Sequence, residues 1–120
     1  MRNFVQHGAT MHWTNSTGSD VSSGDVVIVG NQVFIATTDI ADGASGDLSS
    51  EGVYTVPKTS GEAIAQGDPA IFDVSAGAFV PSSATPATGD VSGAVTCWVA
   101  AASGDTSVAV KINTGVGSVA

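Results

Sequence analysis

Short runs of β-branched and aromatic residues alternate with clusters of Gly, Asp, Ser and Thr along the whole chain. That punctuation predicts short strands joined by tight turns. Two runs, Asp25 to Val29 and Gln32 to Thr38, flank Gly30-Asn31 and predict a hairpin with a two-residue turn. Gly52 to Val56 is a further strand, stopped by Pro57, which has no N–H to give to a ladder. Ala70 to Val74 and Gly77 to Val80 predict a second hairpin around Ser75-Ala76-Gly77, and Val95 to Ala100 and Thr106 to Ile112 a closing pair. In the last run Val108, Val110 and Ile112 share one face, and Ser107, Ala109 and Lys111 share the other. This is the alternation of a half-buried antiparallel strand.

The dipeptide Gly-Asp occurs five times, at Gly24, Gly46, Gly67, Gly89 and Gly104. The first four lie 22, 21 and 22 residues apart. Glycine tolerates positive φ and Asp bonds its own backbone, so each pair suits a turn leading into a strand. Thr59-Ser60-Gly61-Glu62 fits a capping box and predicts one helical turn, ended by Gly67. The segments Gly8 to Ser23, Asp42 to Glu51 and Pro81 to Gly89 read as loops or mobile arms, and residues 115–120 as a loose tail. The expected fold is all-β, a small antiparallel barrel or sandwich with one short helical turn and an extended N-terminal arm. The expected organisation is a single domain over residues 1–120, with an arm at 1–14 and a β-core at 21–113.

Composition narrows the function. The chain has 120 residues, and 11 acidic against 3 basic side chains give a formal charge of -8. Phosphate backbones are bound by Lys and Arg, so nucleic acid is an unsuitable partner. One cysteine makes no internal disulfide. There is no apolar run of membrane-spanning length, and the start, Met1 to Gly8, lacks a signal-peptide core. Synthesis and folding in the cytoplasm are therefore expected. For the same reason Asn15-Ser16-Thr17 reads as a chance match to a glycosylation sequon.

Catalytic patterns are thin. The only lysines, Lys58 and Lys111, follow Pro57 and Val110, so there is no phosphate-cradling G-x-x-x-x-G-K-[ST] loop. Gly43-Ala44-Ser45-Gly46-Asp47 breaks the G-x-S-x-G pattern at its last position. The two histidines, His7 and His12, fall in the expected arm, where a catalytic base or a zinc site would lack a rigid mount. Asp39, Asp42, Asp47 and Glu51 bring four carboxylates close in sequence, outside the EF-hand register. They read as a solvated acidic loop, with a Ca²⁺ site as the alternative. No enzyme activity, cofactor or metal is expected.

Adhesive residues are easier to find. Cys97 and Trp98 are neighbours in a strand and point to opposite faces. Cys97, in line with Val95 and Val99, reads as a small buried residue. Trp98 reads either as part of a second core layer or as an aromatic anchor at a subunit contact. Trp13 lies in the arm, where a contact role is favoured. The candidate partner-binding residues are Phe4, Val5, Met11, Trp13 and Trp98.

The opening Met1-Arg2-Asn3-Phe4-Val5-Gln6-His7-Gly8 resembles the start of small tailed-phage capsid cement, or head decoration, proteins. The block Ser23 to Gly30 with Phe34 to Thr38 is similar to that family's first hairpin. Glu51-Gly52-Val53-Tyr54-Thr55-Val56-Pro57-Lys58, continuing through Gly61-Glu62 to Gly67-Asp68, is the most specific stretch. Members often carry a recombinase label of the RecA/RadA type, which the missing phosphate loop and the charge of -8 argue against here. The resemblance implies a structural virion protein on the outer capsid surface, stabilising the shell by bridging capsid subunits. It further implies the major capsid protein as partner and self-association as a homotrimer, with no nucleic acid and no membrane. Trp13 and the polar run Asn15 to Asp20 make a longer arm than the family pattern. A small carbohydrate-binding or adhesive β-module is the rival reading, although the chain offers only two Trp and one Tyr.

One expectation follows from charge and motif alone. A filter-binding assay at physiological salt is expected to show no micromolar affinity for single-stranded DNA, and the protein is expected to release no phosphate from ATP.

Overall fold

The computed structural model describes residues 3–120, so the first two residues of the expected arm lie outside the described residues. Ten strands follow in order: β1 (Thr10–Thr14), β2 (Val26–Val29), β3 (Gln32–Ala36), β4 (Ser45–Ser49), β5 (Val53–Pro57), β6 (Pro69–Asp73), β7 (Ala78–Pro81), β8 (Val91–Val99), β9 (Ser107–Ile112) and β10 (Ser118–Val119). They form two antiparallel sheets. The smaller has the order β1-β4-β3-β2, and the larger β5-β9-β8-β6-β7, with β10 alongside the start of β8. The arrangement is a sandwich rather than a closed barrel. Next to the outer strands of the larger sheet, Lys58, just past β5, makes an isolated bridge to Phe79 of β7.

Strand β3 is buried on both faces, and its alternation decides how the sheets stack. Val33 and Ile35 join the main core with Val56, Phe72, Phe79, Val95, Cys97, Val108, Val110 and Ile112 of the larger sheet. Phe34 and Ala36 point the other way, into a second cluster with Val27, Ile40 and Leu48. Strand β2 divides likewise, Val26 and Ile28 against the main core and Val27 in the second. Successive side chains of a strand face opposite sides, so a nearly continuous apolar run is what a middle layer needs.

The Gly-Asp turns are real at four of the five sites. The Asp25, Asp68, Asp90 and Asp105 N–H groups donate to the carbonyls three residues back, at 3.0, 3.2, 3.0 and 3.0 Å. In three of them the carboxylate also accepts the N–H of that same residue: Asp25 from Ser22, Asp90 from Ala87 and Asp105 from Ala102, each at 2.9 Å. Backbone and side chain thus close one turn from both ends ahead of β2, β8 and β9. Gly46-Asp47 is different, because it lies inside β4. A Cβ on Gly46 would sit 2.7 Å from Ile40 Cδ1, so this glycine makes room for a core side chain.

The structure departs from the sequence reading in four further places. Residues 10–14 of the expected arm form β1, paired with β4 from Thr10↔Ser49 to Thr14↔Ser45, and β4 itself occupies the expected Asp42 to Glu51 loop. The expected helical turn is absent. Ile64 instead exchanges backbone hydrogen bonds with Ala101 at 3.0 and 2.9 Å and is buried in the main core. One helical turn closes few hydrogen bonds for its nucleation cost, so extended pairing that buries an isoleucine wins. The tail is tied down, with β10 paired to Val91 and Ser92, and Gly117 lies so close to the Asn31 carbonyl that a side chain would collide. Finally, β8 bulges between Cys97 and Val99, which both pair to adjacent residues of β9. Val99 therefore leaves the face of Cys97 and is exposed.

Two polar side chains tie the layers. Asn113, at φ 56, accepts from Val33 N–H at 3.1 Å and donates to the Ser50 carbonyl at 2.8 Å, joining the end of β9 to the smaller sheet. Lys58, only 3% exposed, donates to the carbonyls of Thr59 and Asp105 at 2.9 and 3.2 Å. It pins the turn before β9 to the end of β5.

Val108, Val110 and Ile112 are buried as the alternation of β9 predicts, and Ser107 is exposed. Val110→Asp is expected to cost more than about 3 kcal/mol in a denaturant titration, through an unpaired charge in the core. Ser107→Asp is expected to change stability by less than about 0.5 kcal/mol. Equal losses would contradict the register.

Candidate interaction surface

Residues 3–9 carry no regular structure and are exposed throughout. Phe4 is 62% and Val5 88% exposed, and the Phe4 ring makes only an edge contact with His7 at 5.3 Å. The segment is anchored where it enters the sheet. Ser50 N–H donates to the Ala9 carbonyl at 3.0 Å, and the Ser50 hydroxyl to that of Gly8.

That anchor also fixes the polarity of β1. Ala9 with Ser50 and Asn15 with Ala44 are hydrogen-bonded pairs, so the pairs between them alternate in step. Met11 and Trp13 turn their backbone groups toward β4. Thr10, His12 and Thr14 turn theirs outward, along the open edge of the smaller sheet. Gln6 Nε2 reaches the Thr10 carbonyl at 3.4 Å. An apolar extended segment thus leads directly into a strand whose outer edge can accept another strand.

The five predicted contact residues fall into three groups. Phe4 and Val5 are free on the extended segment. Met11 and Trp13 are half-buried against the second core, where Met11 pairs with Leu48 and Trp13 with Gly46, under Ile40. Trp98 lies on the outer face of the larger sheet, 46% exposed, with Lys111 Nζ 5.1 Å from its ring centre. Of the two readings of Trp98, this excludes the core layer. Sequence reasoning missed Val99 and Val53, exposed on the same face. Strict alternation hid Val99, since a bulge is invisible to a period of two, whereas Val53 was legible from its alternation with Tyr54 and Val56.

The polar groups are occupied with structural work. His12 Nδ1 is 3.3 Å from Asp47 Oδ1, with both side chains more exposed than buried, a pair worth little in water. Asp39 caps Ser23 N–H, Asp42 caps Gly18 N–H and Asp47 faces His12, so the acidic run is dispersed rather than convergent. Among the described residues no three His, Cys, Asp or Glu side chains gather as metal ligands. Asn15 is fully buried and all four of its hydrogen bonds are made, to Ser19, Ile40 and Thr17, which leaves its amide inaccessible to a glycan. Burial pushes the Cys97 thiol above its usual range, and the nearby Asp68 carboxylate adds to the shift.

An acidic all-β sandwich with an apolar free segment and no convergent chemistry among its described residues has the attributes of a structural binding protein. The family model for the phage cement protein matches residues 5–112, and the chain belongs to that family. It is a structural phage virion component, of a family that is not enzymatic. Comparison with curated proteins and with solved structures finds no match.

The cysteine supplies a test of this rigid, closed body. Cys97 is expected to stay unreactive toward a thiol reagent at about pH 8 in native protein and to react fully in denaturant. Its folded pKa is raised, so the stabilisation it carries is complete below the thiol's unfolded pKa and falls as pH rises through the folded value. Rapid native labelling would contradict the burial.

Proposed function

We propose that the protein binds the outer surface of a phage capsid through the major capsid protein and stabilises the shell by bridging neighbouring capsid subunits, as a homotrimer. The observation that carries this reading is the exposed apolar segment 3–9 running into the open edge of β1. Such a segment gains little from its own core, yet offers backbone hydrogen bonds and the Phe4 and Val5 side chains to a partner strand. Ordering it costs about 1–2 kcal/mol per residue, which contact with the shell must offset. A ligand that binds only the assembled shell stabilises that state by mass action, so no chemistry is needed. A charge of -8 keeps densely decorated particles apart in solution.

The placement of β1 sets where the test must cut. Deleting residues 2–8 is expected to leave the thermal melt nearly unchanged while reducing co-sedimentation with undecorated heads by at least about tenfold in affinity. Deleting residues 2–13 also removes Met11 and Trp13 from the second core, and is expected to lower stability by about 2–5 kcal/mol. Undiminished binding by the shorter truncation would place attachment elsewhere on the protein.

A further inference from the structure

The geometry points to the outer face of β5, β9 and β8 as the surface on which a second copy of this chain docks the carboxylate-bearing loops of its smaller sheet. This rests on the self-association in the reading above and names the face that carries it. The face is built by register. Val53 pairs with Lys111 and Thr55 with Ala109, and Ala109 pairs in turn with Val99. Directly paired residues share a side of the sheet, so all five stand outward, joined by Trp98 at the bulge. Trp98, Val99 and Val53 are 46%, 58% and 46% exposed, so this face presents three large exposed apolar side chains.

Lys111 is the one charged residue among these six. None of these six residues is acidic, in a protein with 11 carboxylates and 3 basic side chains. Of the two lysines, Lys58 is spent on the carbonyls of Thr59 and Asp105, while Lys111 lies over the Trp98 ring. Two copies at -8 repel wherever carboxylates meet, and here Lys111 offers a counter-charge, with Asp68 the carboxylate near the Cys97 end of the face. A second copy also supplies the complementary charge. Asp20, Asp39 and Asp42 lie exposed in the loops of the smaller sheet, each using one oxygen to cap a backbone N–H. The other oxygen of each is available to an ammonium group. A cleft of about 350 Å³ beside Trp98, lined by Gln66, Gly67, Cys97 and Trp98, seats an incoming side chain.

A contact between the larger-sheet face of one copy and the smaller-sheet loops of the next joins two different surfaces. Such a contact is heterologous and must close into a ring to end the assembly.

The test is light scattering coupled to size exclusion at about 100 µM, with the full-length chain and with Trp98→Ser, Lys111→Glu and, as a control, Val74→Ser. The wild type and the control are expected to form a closed oligomer. Lys111→Glu and Trp98→Ser are expected to raise its dissociation constant by at least about tenfold with unaltered melts, and raising NaCl from about 50 to about 500 mM is expected to weaken it. Because the two variants differ in kind, a folding defect in one leaves the other to decide. A monomeric wild type, or an oligomer indifferent to both variants, overturns the proposal. Head co-sedimentation of the same proteins separates this from capsid attachment. If the wild type is monomeric and Lys111→Glu binds heads less well, the face contacts the shell and not a second copy.

Discussion

Everything in this molecule depends on a strand that is buried on both sides. Val33 and Ile35 of β3 close the main core against the larger sheet, and Phe34 and Ala36 hold the second cluster beneath Ile40 and Leu48. A chain of this size has apolar surface for one modest core, and β3 divides it between two shallow ones. The smaller sheet is thereby a middle layer. Strand β4 pairs with β3 at Ile35↔Ser49 and Ala36↔Leu48, and β1 pairs with β4 alone, their apolar side chains Met11, Trp13 and Leu48 all joining the second core. The open edge of β1 and the free segment before it follow from that lateral position.

The polar residues serve the same constraint. The nine connections between the ten strands leave many backbone groups to satisfy, and the acidic side chains satisfy several of them. Asp25, Asp90 and Asp105 close turns, Asp39 and Asp42 cap loop N–H groups, and Asp73 accepts from Ser75 and Ala76. Capping keeps most of these charges near the surface, where water solvates them. Lys58 and Asn113 bind carbonyls and an amide that no strand reaches. These side chains tie turns and layers of the sandwich together.

The candidate contact residues were legible to different degrees. Phe4 and Val5 stood out because apolar residues without a periodic partner have no core to join, and the structure leaves them exposed. Trp13, an aromatic among Gly, Ser and Thr, looks unattached in the sequence, and the structure packs it half-buried beside β4 against the second core. The strand β4 was itself hidden: Ser45-Gly46-Asp47-Leu48-Ser49 has the composition of a loop, and only Leu48 and the space at Gly46 belong to the core. Val99 was assigned to the wrong face because the bulge at Trp98 shifts the register by one residue.

What the sequence determined by itself is whatever depends on neighbours in the chain. Alternation set the inward face of β9, Gly-Asp set four turns, Pro57 marked the end of β5, and the charge disfavoured nucleic acid. These are local effects of backbone geometry and side-chain type, and they survive without knowledge of the partner strand. Tertiary structure decided the rest: that Gly46 is a space for Ile40, that Ile64 pairs with Ala101 instead of forming a helical turn, that the tail docks on β8, and that residues 10–14 join a sheet. Each of those choices depends on a segment distant in sequence supplying hydrogen bonds or apolar surface, and no local preference was strong enough to oppose it.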